Sequence, residues 1–94
     1  MPLLSLDSHV TKDNSQVIDR VVDGEALLID LQTGNYFSLN AVGTRIWESL
    51  DGSRTVHDII HMVVDEYDVD VERAEADVLT LVNDLISEGL AILT

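Results

Sequence analysis

Residues 23–47 read DGEALLIDLQTGNYFSLNAVGTRIW, and this stretch decides the fold. Asp23-Gly24 is the preferred two-residue hairpin turn, because both of its positions need positive φ. Ala26 to Leu31 follows as a strand that is apolar on both faces except at Asp30, a pattern that suits a central position in a small sheet. Thr33-Gly34 makes the next tight turn, and Asn35 to Leu39 is a further strand. Its alternation puts Phe37 and Leu39 on one face and Tyr36 and Ser38 on the other. Asn40 fits a helix N-cap, its side-chain oxygen placed to accept from exposed amides of the next turn.

Val17 to Val22 is rich in β-branched residues and reads as the strand before the Asp23-Gly24 turn. Three antiparallel strands joined by short turns form a meander. After Asn40, the residues Val42, Ile46, Trp47 and Leu50 give the first helix its apolar stripe, and Asp51-Gly52 is expected to end it. Thr55 begins a second helix, with Asp58 placed three residues on as in a capping box. Val56, Ile59, Ile60, Val63, Val64 and Tyr67 then recur at helical spacing. Asp70 is expected to cap a third helix that runs to about Glu88, with Gly89 at its C′ position. Leu90 to Leu93 is a short apolar tail able to pack back on the core. Residues 1–16 are weakly patterned and read as a tail or a loose strand, leaving 17–94 as the single folded domain. The expected class is α+β: a three-stranded antiparallel sheet followed by three helices, laid out like a winged helix-turn-helix domain.

Ninety-four residues make one domain with a modest core. Eighteen acids against five bases leave a formal charge of −13. That field repels a phosphate backbone and an anionic membrane surface, which argues against nucleic acid and membrane as partners. The absence of cysteine removes disulfides, thiolate metal sites and thiol catalysis together, and suits a reducing, cytoplasmic setting. The first ten residues carry no basic region of a secretory signal.

Three motifs raise chemistry and each has a plainer reading. His57 and His61 have the i,i+4 spacing of a zincin helix, but Asp58 replaces the required Glu and no downstream His supplies a third ligand. A solvated helix face is the expectation, with no metal and no cofactor. Glu48-Ser49-Leu50 is similar to the attachment site of acyl carrier proteins, yet Ser49 falls near a helix end and not at a helix start. A small acidic acyl or peptidyl carrier is therefore the alternative function. Seven acids between Asp65 and Asp77 lack the central Gly of a calcium loop and read as a solvated rim, with attraction of a basic partner as the second reading. Nucleophile–base pairs and phosphate-cradling glycine loops are missing from the sequence, so no catalytic residue is assigned and a non-enzyme is expected.

The strand Asn35 to Leu39 carries none of the Lys, Pro or bulge signals that normally blunt a sheet edge. Taking ~100° per residue, the third helix has an apolar arc from Leu81 through Ala74, Leu85, Val78, Val71 and Val82 to Ile86 and Leu79, roughly 160° wide. Such a breadth serves either packing on two neighbours or an open groove. A free edge beside a groove is what β-strand addition of a peptide needs. A neighbouring segment or a second copy of the chain, paired edge to edge, is the competing occupant.

These residues resemble the PqqD-like family of leader-peptide recognition domains. The resemblance rests on Asp23-Gly24-Glu25, Leu27-Leu28-Ile29-Asp30, Thr33-Gly34-Asn35-Tyr36-Phe37, Leu39-Asn40, Gly43, Ile46-Trp47, Asp51-Gly52, Thr55 and Asp77-Val78. It is most similar to the discrete proteins of lasso peptide clusters, where a free-standing domain works beside a separate peptidase. It implies that the leader of a ribosomally synthesised precursor adds as a strand, and that the domain hands the peptide to a maturation enzyme such as a leader peptidase, a cyclase or a radical enzyme. The positions it implicates are Tyr36, Phe37, Ser38 and Leu39 on the strand. On the third helix they are Glu75, Val78, Leu79, Val82, Leu85 and Ile86.

Overall fold

The computed structural model describes residues 4–93; residues 1–3 of the expected tail and Thr94 lie outside the described residues. The order of elements is β1 (His9–Lys12), β2 (Val17–Val22), β3 (Glu25–Asp30), β4 (Tyr36–Leu39), α1 (Ala41–Glu48), β5 (Asp51–Thr55), α2 (Val56–Tyr67), α3 (Val71–Ser87) and β6 (Ala91–Leu93). Strands β2, β3 and β4 form the antiparallel meander with β3 central. Asp23 and Gly24 both have positive φ, 53° and 79°, as the two-residue turn requires. At the second turn Gly34 has φ 77°. Its N–H donates to the Asp30 carbonyl at 2.8 Å, and the Asp30 N–H donates to the Asn35 carbonyl at 2.8 Å. The buried Asp30 carboxylate accepts the Gln32 N–H at 2.9 Å, which closes the turn locally and explains a carboxylate at a core-facing position.

The helices start where the sequence places them. Asn40 Oδ1 accepts the Gly43 N–H at 2.8 Å. A Cβ on Gly43 would lie 3.3 Å from that oxygen and 3.4 Å from Leu39 Cβ, so glycine there permits the close approach of strand end and helix. Thr55 and Asp58 form both halves of a capping box, at 3.1 Å each. Asp70 occupies the N-cap position of α3 but makes no capping hydrogen bond through its side chain, contrary to expectation. At the other end of α3, Leu90 N–H donates to Leu85 C=O and Gly89 N–H to Ile86 C=O. With Gly89 at φ 77° this is a Schellman motif, and it turns buried Leu90 onto the core.

A second sheet, in the order β5-β1-β6, is the feature beyond the expected three strands. Residues 9–12, within the stretch read as a tail or loose strand, form its middle strand and bury Val10 completely. Asp51-Gly52, read as a helix stop, opens β5, and the apolar C-terminal stretch supplies β6. Trp47 sits between the two sheets, 1 % exposed. Its Nε1–H donates to Asp19 Oδ2 of β2 at 2.8 Å, while Lys12 Nζ of β1 lies 5.7 Å from its ring centroid. No helix among the described residues is long and apolar enough to cross a membrane.

Candidate peptide-binding site

Strand β4 is an edge: β3 pairs with it on one side, and no described strand pairs with it on the other. The direction of its backbone groups follows from two hydrogen bonds. The Asn35 carbonyl accepts from Asp30 of the neighbouring strand, and the Leu39 carbonyl accepts from the Thr44 hydroxyl at 3.3 Å, beside Ala26 of β3. Successive residues of a strand point their N–H and C=O groups to opposite sides. Asn35, Phe37 and Leu39 therefore turn inward to β3, and the backbone groups of Tyr36 and Ser38 turn outward to solvent. The free edge is two residues wide in donors and acceptors.

A cleft of about 890 Å³ runs beside this edge. One wall is Ser38, Leu39, Asn40, Val42, Gly43 and Ile46, from the end of β4 into α1. Val63, Tyr67, Asp68, Val69 and Asp70 close one end, and Arg73, Ala76, Asp77, Thr80, Leu81 and Asp84 of α3 form the opposite wall. The floor is apolar and the rim carries four carboxylates.

The residues implicated from sequence distribute unevenly over this geometry. Ser38 and Leu39 line the cleft, Tyr36 is 72 % exposed on the outer face of the sheet, and half-buried Phe37 packs against the core. On α3 the structure places Val78, Val82 and Leu85 in the core, at 0 %, 0 % and 3 % exposure. Glu75, Leu79 and Ile86 are half-buried on the flank away from the cleft lining. The cleft wall of α3 is the adjacent stripe from Arg73 to Asp84, with Leu81 its large apolar member. That stripe is mostly polar, so apolar periodicity points past it to the core stripe beside it. The broad apolar arc of α3 thus chiefly covers neighbours. Leu81 at one border of the arc is the residue that periodicity does place at the cleft.

The chemical motifs resolve plainly. The imidazoles of His57 and His61 meet at 3.0 Å on an exposed face of α2, and no group of three or more His, Cys, Asp or Glu able to hold a metal occurs among the described residues. Asp58 is engaged by the Thr55 N–H, which holds its carboxyl below the usual carboxylate range. Ser49 is 1 % exposed, with its hydroxyl donating to the Arg45 carbonyl at 2.8 Å. A carrier needs that hydroxyl on the surface, so the carrier alternative falls. Of the acidic run, Glu66 forms a two-pronged pair with Arg45, at 2.9 and 3.1 Å, and this raises the guanidinium pKa.

The model of the family described as coenzyme PQQ synthesis protein D (PqqD) matches residues 25–91, well over half of the sequence. The chain belongs to the PqqD family. Among solved structures it is similar to TbiB1 in complex with the TbiA(beta) leader peptide, at 33 % identity over 86 % of this chain and 93 % of that one, with a TM-score of 0.77. It is also similar to a lasso peptide synthetase B1 complexed with its leader peptide, at 25 % identity, 89 % and 98 % coverage, and a TM-score of 0.77. The heterocyclase TruD shares the fold alone: 13 % identity over 93 % of this chain and 12 % of that longer one, with a TM-score of 0.62. No curated protein sequence matches this PqqD-family chain significantly.

Proposed function

We propose that this protein binds the leader region of a ribosomally synthesised precursor peptide without catalysing its modification. The leader adds as a strand to β4 and sets its side chains into the neighbouring cleft. The observation that carries this reading is the outward pair of Tyr36 and Ser38 backbone groups on an uncovered edge, directly beside a cleft with an apolar floor. The two family-sized relatives, each complexed with a leader peptide, support it. Of the residues implicated from sequence, Ser38 and Leu39 contact the peptide directly. Val78, Val82 and Leu85 contribute by supporting the helix behind the cleft.

The receiving partner is a maturation enzyme of the same pathway, a leader peptidase being the expected one. The outer face of the meander offers it a surface. Ile18, Ile29 and Tyr36 lie side by side across the three strands, next to the row Arg20, Leu27 and Ser38. Ile18 and Val22 are 48 % and 66 % exposed. Contiguous apolar surface of this kind is a mark of protein contact.

The test is a titration of the purified protein with the leader of any short precursor encoded beside its gene, followed by backbone amide shifts. Shifts centred on residues 36–39 and on the Arg73–Asp84 wall are expected. Shifts confined to other elements would overturn strand addition. A second copy of the chain is the competing occupant of the β4 edge, and sedimentation across concentrations separates the two: the leader-binding reading expects a monomer that takes up one peptide.

A further inference from the structure

The acidic rim of the cleft is not explained by the fold. Asp68 is the C-cap of α2, in the left-handed conformation at φ 51°, and the last turn of that helix carries no base. Asp84 sits in the last turn of α3, again without a base. A carboxylate at a helix C-terminus faces the negative end of the helix dipole and is locally unfavourable. Asp68, Asp70 and Asp84 line the same cleft and make no side-chain hydrogen bond or ion pair among the described residues; Asp77 reaches only Arg73 among them, at 3.9 Å and largely in solvent. Four carboxylates against one guanidinium thus edge an apolar floor, in a chain whose formal charge is already −13. Asp68 and Asp84 work against their own helices, Asp70 stands at the favourable N-terminal end of α3, and all four carboxylates converge on one cleft, which points to a partner of opposite sign.

We propose that the peptide segment held in this cleft is cationic. Its Lys or Arg side chains reach Asp68 and Asp70 at the closed end, and Asp84 along the opposite wall. Apolar side chains between these cations fill the floor at Leu39 and Leu81. This assignment rests on the leader-binding reading and adds to it the charge of the ligand and the end of the cleft that recognises it.

The test uses the full chain, the leader encoded beside its gene, and a copy of that leader with every Lys and Arg replaced by Gln. The neutral copy is expected to bind about threefold to tenfold more weakly, as exposed pairs allow, and the charged leader to lose affinity as salt is raised from low to high. The double variant Asp68→Asn/Asp84→Asn is expected to weaken the charged leader by a similar factor while unfolding no more easily than the parent. The control Asp65→Asn/Glu88→Gln removes acids at the same two helix ends but off the cleft, and is expected to change affinity less than twofold. Equal binding of both leaders with shifts on β4, or a native leader without Lys or Arg that binds there, overturns the charge assignment and leaves leader binding standing. Absence of shifts on β4 with every peptide overturns leader binding itself, and the charge assignment with it.

Discussion

The hydroxyl of Thr44 accepts the backbone N–H of Ala26 at 2.8 Å and donates to the carbonyl of Leu39 at 3.3 Å. It therefore stands where a direct ladder bond between β3 and β4 would be, and ties the edge strand β4 to α1. Thr44 is 3 % exposed, so neither backbone group can turn to water if it is lost. Thr44→Val keeps the shape and removes the hydroxyl. The expected cost is about 1–3 kcal/mol, the penalty of a buried unsatisfied group. Denaturant unfolding measures it, with Thr44→Ser, which retains the hydroxyl, expected to lose less than the valine variant.

Proline distinguishes the two sides of β4. The Ser38 N–H points away from β3, which is the position in a sheet where proline is tolerated. Ser38→Pro should leave the circular dichroism spectrum and the unfolding midpoint close to those of the parent, yet abolish measurable leader binding. Phe37→Pro removes an inward N–H and a core-packed ring, and should unfold the sheet. Retention of leader affinity by Ser38→Pro would show that the peptide does not pair with this strand.

Three closely spaced leucine and valine positions on α3 separate cleft from core. Leu81 lines the cleft, Val82 is fully buried, and Leu79 is half-buried outside the cleft lining. Leu81→Asp is expected to weaken leader binding by about tenfold, equivalent to 1.4 kcal/mol, in a protein that remains folded. Val82→Asp places an unpaired carboxylate in the core and is expected to prevent folding. Leu79→Asp should cost some stability and little affinity. Calorimetric titration beside thermal unfolding reads all three.

The contrast between these neighbours shows what was legible in the sequence. The meander was, because Asp23-Gly24 and Thr33-Gly34 are turns with a steric requirement and the strands between them alternate. Caps at Asn40 and Thr55 were legible for the same local reason. The second sheet was not: β5 is Asp51-Gly52-Ser53-Arg54-Thr55, whose composition reads as a turn, and β1 has one fully buried residue in four. These strands exist through pairing between segments some forty residues apart, as His9 with Thr55, and local pattern carries no trace of that. The free edge of β4 was visible as a strand without blunting residues. On α3 the positions implicated from sequence fall one stripe away from the cleft lining, because apolar periodicity follows burial and a wet, charged cleft wall leaves no such signal.

Acid should loosen the start of α2 before the core. The carboxyl of Asp58 is held below its ordinary range, first by the Thr55 N–H and then by the Thr55 hydroxyl. A group with a depressed native pKa is protonated more readily in the unfolded chain, so stability falls as pH falls. Its contribution is fully present above the unfolded carboxylate pKa of ~3.9 and is lost as pH drops through the lower native value. The stability difference between the parent and Asp58→Ala, measured by denaturant unfolding, should therefore be present at neutral pH and shrink toward zero in strong acid. A difference independent of pH would assign the loss to something other than the ionised cap.

Separation of leader binding from delivery is the most demanding consequence of the two faces of the meander. Ile18 and Val22 project from β2, at the edge of the sheet opposite β4, and neither lines the cleft. Both are substantially exposed, so lysine at either site keeps its charge in water and leaves the core untouched. Ile18→Lys/Val22→Lys should bind the leader within about twofold of the parent, since the strand edge and the cleft are unchanged. If the maturation enzyme rests on this apolar face, a pair of fixed charges there costs contact area and desolvation together. The rate at which that enzyme processes the precursor, with the recognition protein limiting, should then fall by about tenfold or more, corresponding to 1.4 kcal/mol or more of lost association. Processing at the parental rate with leader affinity unchanged would place the enzyme on another surface. A parallel fall in leader affinity would instead mean that the two faces are mechanically coupled through β3.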